Sequence, residues 1–138
     1  MRFMVMVKAN QDSEAGVMPT KELLTEMGRF NEELARDGLL LAAEGLQPTS
    51  KGARIEFTGE KRRVIEGPFT ETKQLIAGFW LIQAESKEKA IERFSRCPFH
   101  DGEIEIRQVF EAADFGDELT PELRRAEGRL RAEVAAKQ

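Results

Sequence analysis

Residues 75–83, Leu-Ile-Ala-Gly-Phe-Trp-Leu-Ile-Gln, are apolar at odd and even positions alike. Successive side chains of a strand point to opposite faces, so Phe79 and Leu81 oppose Trp80 and Ile82. The opening run behaves the same way, with Phe3, Val5 and Val7 on one side and Met4 and Met6 on the other. A sheet that is wet on one face alternates apolar and polar residues. These strands want cover on both faces, and the rest of the chain must supply it.

Two amphipathic helices are available beside this sheet. Leu23, Leu24, Met27, Phe30 and Leu34 share one face at helical spacing, while Lys21, Glu22, Glu26, Arg29, Glu33 and Arg36 fall mainly on the other. Thr20 is placed to cap this helix and Gly38 to end it. Ser86 caps a second helix over 87–96, with Ala90, Ile91 and Phe94 inward, and Cys97-Pro98 stops it. Strands are expected at 3–8, 39–44, 75–83 and 103–110. Residues 53–57 and 62–65 flank Thr58-Gly59-Glu60-Lys61 as a hairpin. Residues 10–18 read as a polar loop.

The core order is strand, helix, strand, inserted hairpin, strand, helix, strand. That order predicts an α+β fold, a ferredoxin-like βαββαβ sheet with both helices on one face. The other face calls for a second copy of the chain, and closed two-fold dimers are the commonest oligomers. The alternative is a C-terminal helix folded back over it. Composition shifts after the last strand: 111–118 are acidic and loop-like, and Thr120-Pro121-Glu122 starts a helix. Leu119, Leu123, Ala126, Leu130 and Val134 give that helix only a narrow apolar stripe. The expected division is a domain over 1–111 and an acidic linker with a helical extension over 112–138.

The 138 residues carry a net charge of −4, with a pI near 5.2. This argues against nucleic acid as a partner, because binding phosphates takes a surplus of Lys and Arg. The basic run Lys61-Arg62-Arg63 reads as a solvated hairpin end. No apolar run approaches the roughly 20 residues that span a bilayer, and the N-terminus reads as a strand rather than a signal peptide. Cys97 is the single cysteine, which excludes an internal disulfide and suits a cytoplasmic location. With Cys97 and His100 as its single Cys and single His, the chain has too few such ligands for a zinc set, and no metal site or cofactor is expected.

Several residues can carry chemistry. His100, the only histidine, stands beside Asp101 and can act as an acid or base near neutral pH. The competing reading is an exposed loop histidine. With Ile104 and Ile106 toward the helices, Glu105 and Arg107 face the open side, where Trp80 is expected to join them in a ligand pocket. A salt bridge across strands or subunits serves Glu105 and Arg107 equally well. Glu66, Thr72 and Lys73 flank the Gly67-Pro68 turn, and Glu66 is a candidate proton carrier. The plainer reading is a surface or capping role.

Glu66-Gly67-Pro68-Phe69-Thr70-Glu71-Thr72-Lys73-Gln74 resembles the Asp-Gly-Pro-Phe-x-Glu-Thr-Lys-Glu signature of the DGPF group of the YCII-related family. Met4–Lys8, Glu44-Gly45-Leu46-Gln47-Pro48, Ala77-Gly78-Phe79-Trp80, Arg96-Cys97-Pro98 and Ile104–Val109 fit as well, so the likeness runs from residue 1 to about 111. It implies a ferredoxin-like fold assembled as a dimeric α+β barrel. Some YCII-type relatives are proposed enzymes with a His–Asp pair, one related activity being dehydrochlorination of a hydroxylated aromatic. This chain has no histidine near its first helix, so that pair is not carried over. Genes of the DGPF type often lie beside sigma-factor genes, which implies a regulatory role.

Two functional readings follow. One is a small-molecule enzyme of lyase or isomerase type with a pocket at the inner face of a homodimer. Trp80, Glu105, Arg107, Thr72 and Lys73 bind a small polar or aromatic anionic ligand there, and His100 or Glu66 moves a proton. The other is a non-catalytic ligand-binding or protein-interaction module, linked to transcription through a sigma factor, with the C-terminal helix as contact surface.

Overall fold

The computed structural model describes residues 1–138, which form two compact units, Met1–Gln108 and Val109–Gln138. In the first, strand β1 (Arg2–Lys8) leads to a short helix α1 (Gln11–Glu14) and a long one, α2 (Lys21–Arg36). Strand β2 (Leu40–Gly45), the hairpin β3 (Ala53–Thr58) and β4 (Lys61–Glu66), strand β5 (Ile76–Gln83), helix α3 (Lys87–Phe94) and strand β6 (Ile104–Gln108) follow. The main sheet has the order β2-β5-β1-β6, all antiparallel. This is the ferredoxin-like arrangement, with the hairpin as a separate two-stranded sheet.

Local chemistry sets the helix ends where the spacing places them. The Thr20 hydroxyl accepts the Leu23 N–H at 3.1 Å, Ser86 accepts that of Lys89 at 3.1 Å, and Gly38 follows α2 at φ +75°. Residues 10–18 depart from the expected loop. Asn10 accepts the Ser13 N–H at 2.8 Å while Ser13 Oγ accepts that of Asn10 at 2.9 Å, and this reciprocal cap starts α1. Helix α3 ends at Phe94, and β6 is shorter at both ends than the alternating pattern of 103–110.

Both long helices pack on one face of the sheet. Phe3, Val5, Trp80 and Ile82 meet Phe30 and Leu34 of α2 and Ala90 and Phe94 of α3 in one buried cluster. Four rings meet edge to face: Trp80 lies 6.2 Å from Phe30, 5.1 Å from Phe94 and 6.4 Å from Phe99. Each such pair adds about 0.5–1.5 kcal/mol beyond its area burial. The opposite face carries Met4, Met6, Phe79 and Leu81, brought side by side by the pairings Met4↔Leu81 and Met6↔Phe79. Each of the four is half-buried.

In the second unit, residues Ala112–Glu118 coil tightly and lead into α4 (Pro121–Ala136), capped by Thr120. Phe110 and Phe115 stack at 5.0 Å. The helix pairs Arg131 with Glu127 at 2.8 Å and Lys137 with Glu133 at 3.4 Å. No helix of the chain is long and apolar enough to cross a membrane.

Candidate functional site

Trp80 sits on the helix side of the sheet, in register with Val5 and Ala43. Glu105 and Arg107 are in register with Met6 and Met4 on the opposite face. The pocket expected to join Trp80 with Glu105 and Arg107 is therefore divided by the sheet itself. The reason is parity: Ile104 and Ile106 pack against the helix-side core, which sends their alternates away from Trp80.

Trp80 instead forms the floor of a crevice of about 290 Å³ between α2 and the β2–β5 side of the sheet. Leu23, Leu24 and Met27 wall it from the helix, Ala43 and Glu44 from the edge strand, and Phe99 closes its end. The Trp80 indole Nε1–H donates to Asn31 Oδ1 at 2.8 Å. Asn31, also on the lining, keeps its amide Nδ2 donors for a guest. No Lys, Arg or His lines the crevice. A ring-sized apolar molecule with one hydrogen-bond acceptor suits such walls.

The sequence carried a signal for Asn31. It lies four residues after Met27 and three before Leu34, a polar side chain on an apolar stripe, which must find a partner when buried.

A larger hollow, about 600 Å³, lies between α3 and the Met1 end of the sheet. Its rim is charged, and its central feature is the ion pair of Arg93 with Asp37. A site for a small guest needs apolar walls with a few convergent polar groups, and the smaller crevice meets that description better.

His100 is exposed in the loop after α3, and neither its side chain nor that of Asp101 has a partner. Both line a separate hollow of about 210 Å³ with Cys97 and Glu103. Burial pushes the Cys97 thiol up to about 11, against a smaller lowering by a backbone hydrogen bond from Phe99. It is a protonated packing group rather than a nucleophile. Glu105 takes the Lys8 ammonium at 3.0 Å, and Arg107 is exposed without an ion-pair partner. His, Cys, Asp and Glu nowhere gather in a group fit to hold a metal.

The Glu66–Lys73 segment has a structural account. Gly67 N–H donates to Gly52 O at 2.9 Å, and Phe69 N–H donates to Thr49 Oγ1 at 3.0 Å. Thr49 in turn gives its N–H, at 3.1 Å, and its hydroxyl proton to the Glu14 carboxylate. A Cβ on Gly67 would lie 1.7 Å from Thr49 O. Arg54 covers the Phe69 ring at 3.8 Å and reaches Glu71 at 3.4 Å. These ties close the base of the hairpin and deliver the chain to β5. The Gly67–Pro68 peptide is cis. Glu66 and Lys73 are exposed, Thr72 is half-buried in a short 3-10 turn, and none of the three lines the Trp80 crevice.

The profile of the YCII-related domain matches residues 1–113. An uncharacterised protein of Rhizobium meliloti is 26% identical over 72 residues, which are 52% of this chain and 58% of that protein. The chain thus matches a little over half the length of that relative. Among solved structures, 5-chloro-2-hydroxyhydroquinone dehydrochlorinase from Burkholderia phenoliruptrix AC1100, in complex with 2,5-dihydroxybenzoquinone, aligns with a TM-score of 0.47. The two share 13% identity over 80% of this chain and 95% of the other.

Proposed function

The chain belongs to the YCII-related domain family, and we propose that it works there as a homodimer that binds a small, ring-sized and largely apolar molecule in the Trp80 crevice. The observation that carries this reading is the Asn31–Trp80 pair. A buried indole is tied to a side-chain amide whose remaining donors line an otherwise apolar recess. A phenolic or carbonyl oxygen on a guest would accept from Asn31 Nδ2 while its ring lies among Leu23, Met27 and Phe99. Without a cation on the lining, the guest is neutral rather than the anion first assigned to Arg107.

A lyase or isomerase form of this reading lacks a proton carrier in the crevice. Glu44, the one acid on its lining, is in register with Phe79 and turns its side chain to the opposite face. The reading is therefore one of binding. His100 and Glu66 lie off that lining. What supports the homodimer is the row Met4, Met6, Phe79 and Leu81, apolar side chains on the face away from both long helices. Thermal-shift screening with small phenols, quinones and aromatic aldehydes tests the binding. A compound that raises the Tm of the wild-type chain should lose its effect in Ala43→Leu, which fills the recess. Equal shifts in both proteins would place the guest elsewhere.

One observation favours a second reading, that of a protein-interaction module. Leu123, Leu130 and Val134 of α4 are all exposed. A sigma factor is the partner this reading names. Its test is a pull-down with the intact chain against Leu123→Glu/Leu130→Glu. Capture that survives the double substitution removes α4 from the contact.

A further inference from the structure

We propose that the hairpin β3–β4 is a dimerisation clasp. Each copy lays Ile55, Phe57 and Val64 along the β6 margin of its partner's uncovered sheet face, with Glu66 meeting the partner subunit's Arg107. The proposal rests on the homodimer reading and adds to it the element that makes the contact stable and specific.

The hairpin is an unusual object to leave in water. It is a two-stranded sheet of its own, and such hairpins are marginal by themselves. Its register sets Ile55 against Val64 and Phe57 against Arg62, so three apolar side chains share one face. They are 56%, 68% and 61% exposed for Ile55, Phe57 and Val64. β-Branched and aromatic residues fit a strand whose face is covered. The face is also held ready. The Arg62 guanidinium lies 4.6 Å over the Phe57 ring, and its Nη1 donates to Gly59 O at 2.8 Å and Lys61 O at 3.0 Å. An aromatic side chain fixed by a stacked arginine loses little freedom when it docks. At the other end, the Thr49 and Gly67 ties fix the hairpin's base.

A second copy is the occupant that size and charge favour. The open face is four strands wide, with strands of five to eight residues, a footprint of roughly 20 Å by 22 Å. That is little more than half of the roughly 800 Å² that each partner of a standard interface contributes. Sheet against sheet therefore falls short, and the hairpin adds a further exposed apolar face of the same unit. The charges match as well. Glu66 flanks the hairpin's apolar face in register with Ala53, and Arg107 flanks the sheet's apolar row in register with Met4. Neither has an ion-pair partner within its own chain. In a two-fold dimer each such contact occurs twice.

Sedimentation equilibrium of the full chain provides the test, with circular dichroism confirming each variant's fold. Wild type should be a dimer. Phe57→Ser/Val64→Ser, at positions already exposed in the single chain, should raise the dimer Kd about 100-fold. Glu66→Arg and Arg107→Glu should each weaken the dimer, and together in one chain they should restore it. A monomeric wild type overturns both the clasp and the homodimer. A dimeric wild type whose Kd is unmoved by the hairpin substitutions, or whose charge swap gives no rescue, overturns the clasp alone and leaves the sheet-to-sheet dimer standing. Should Phe57→Ser/Val64→Ser fail to fold, the charge swap decides.

Discussion

Asn31 makes the polar tie to the aromatic cluster. Replacing it by Leu leaves the Trp80 indole N–H, in a side chain that is 5% exposed, without its acceptor. A buried donor without a partner costs about 1–3 kcal/mol, so Asn31→Leu should lower urea stability by that amount. Trp80 is the only tryptophan and the chain has no tyrosine, so unfolding is read cleanly from its fluorescence. An unchanged midpoint would mean that water replaces Asn31 at the indole. Cys97 gives a second expectation. With its thiol pushed up to about 11 by burial, very little thiolate exists at pH 7.5. Alkylation by iodoacetamide should run about two orders of magnitude slower in the folded chain than in urea. The rate should still be climbing above pH 10, where an ordinary thiol is close to fully ionised. Equal rates in both states would show that Cys97 is open to solvent.

At the scale of elements, the Glu66–Lys73 segment is a brace. Its glycine is required by the approach of Thr49 O, where a Cβ would sit at 1.7 Å, and backbone cannot yield as a side chain can. Gly67→Ala should destabilise the protein by about 3 kcal/mol or more. Gly128→Ala, inside α4 with no atom within 4 Å of the new Cβ, should be neutral to stabilising by up to about 1 kcal/mol. Differential scanning calorimetry of the two variants separates these cases, and matched Tm values would refute the brace.

The elements were legible wherever local chemistry decides them. Thr20, Gly38, Ser86 and Thr120 mark helix ends by capping, and the register of β3 with β4 follows from the Thr58–Lys61 turn. Helix α1 escaped because it spans one turn and rests on the Asn10–Ser13 exchange rather than on apolar spacing. The site was less legible. Alternation separates Phe79 from Trp80 but does not tell which of them meets the helices. Register against Val5 and Ala43 settles that, and register is a property of the assembled sheet. His100 was legible as the only histidine, and it stands exposed in the loop between α3 and β6. Asn31 was visible as a polar break in an apolar stripe, but its partner lies 49 residues away.

The whole molecule sets two needs against each other. Its helix-side face is closed by an aromatic core that leaves a recess at Trp80, and its other face carries an apolar row that a second copy would cover. The sheet separates the two, so ligand binding and association should be independent to first order. Met6→Asp, which puts a charge into the row, should shift the dimer toward monomer and leave crevice binding intact. Sedimentation and ligand titration on that variant check the separation, and loss of both together would mean that the guest sits between subunits. The most direct test of the crevice is the single indole N–H resonance of Trp80, followed by proton–nitrogen correlation NMR during titration with small phenols and quinones. The account predicts a saturable shift of that one resonance with wild type and none with Ala43→Leu. An indole signal that stays fixed while a compound binds, shown by shifts elsewhere in the spectrum, would contradict it.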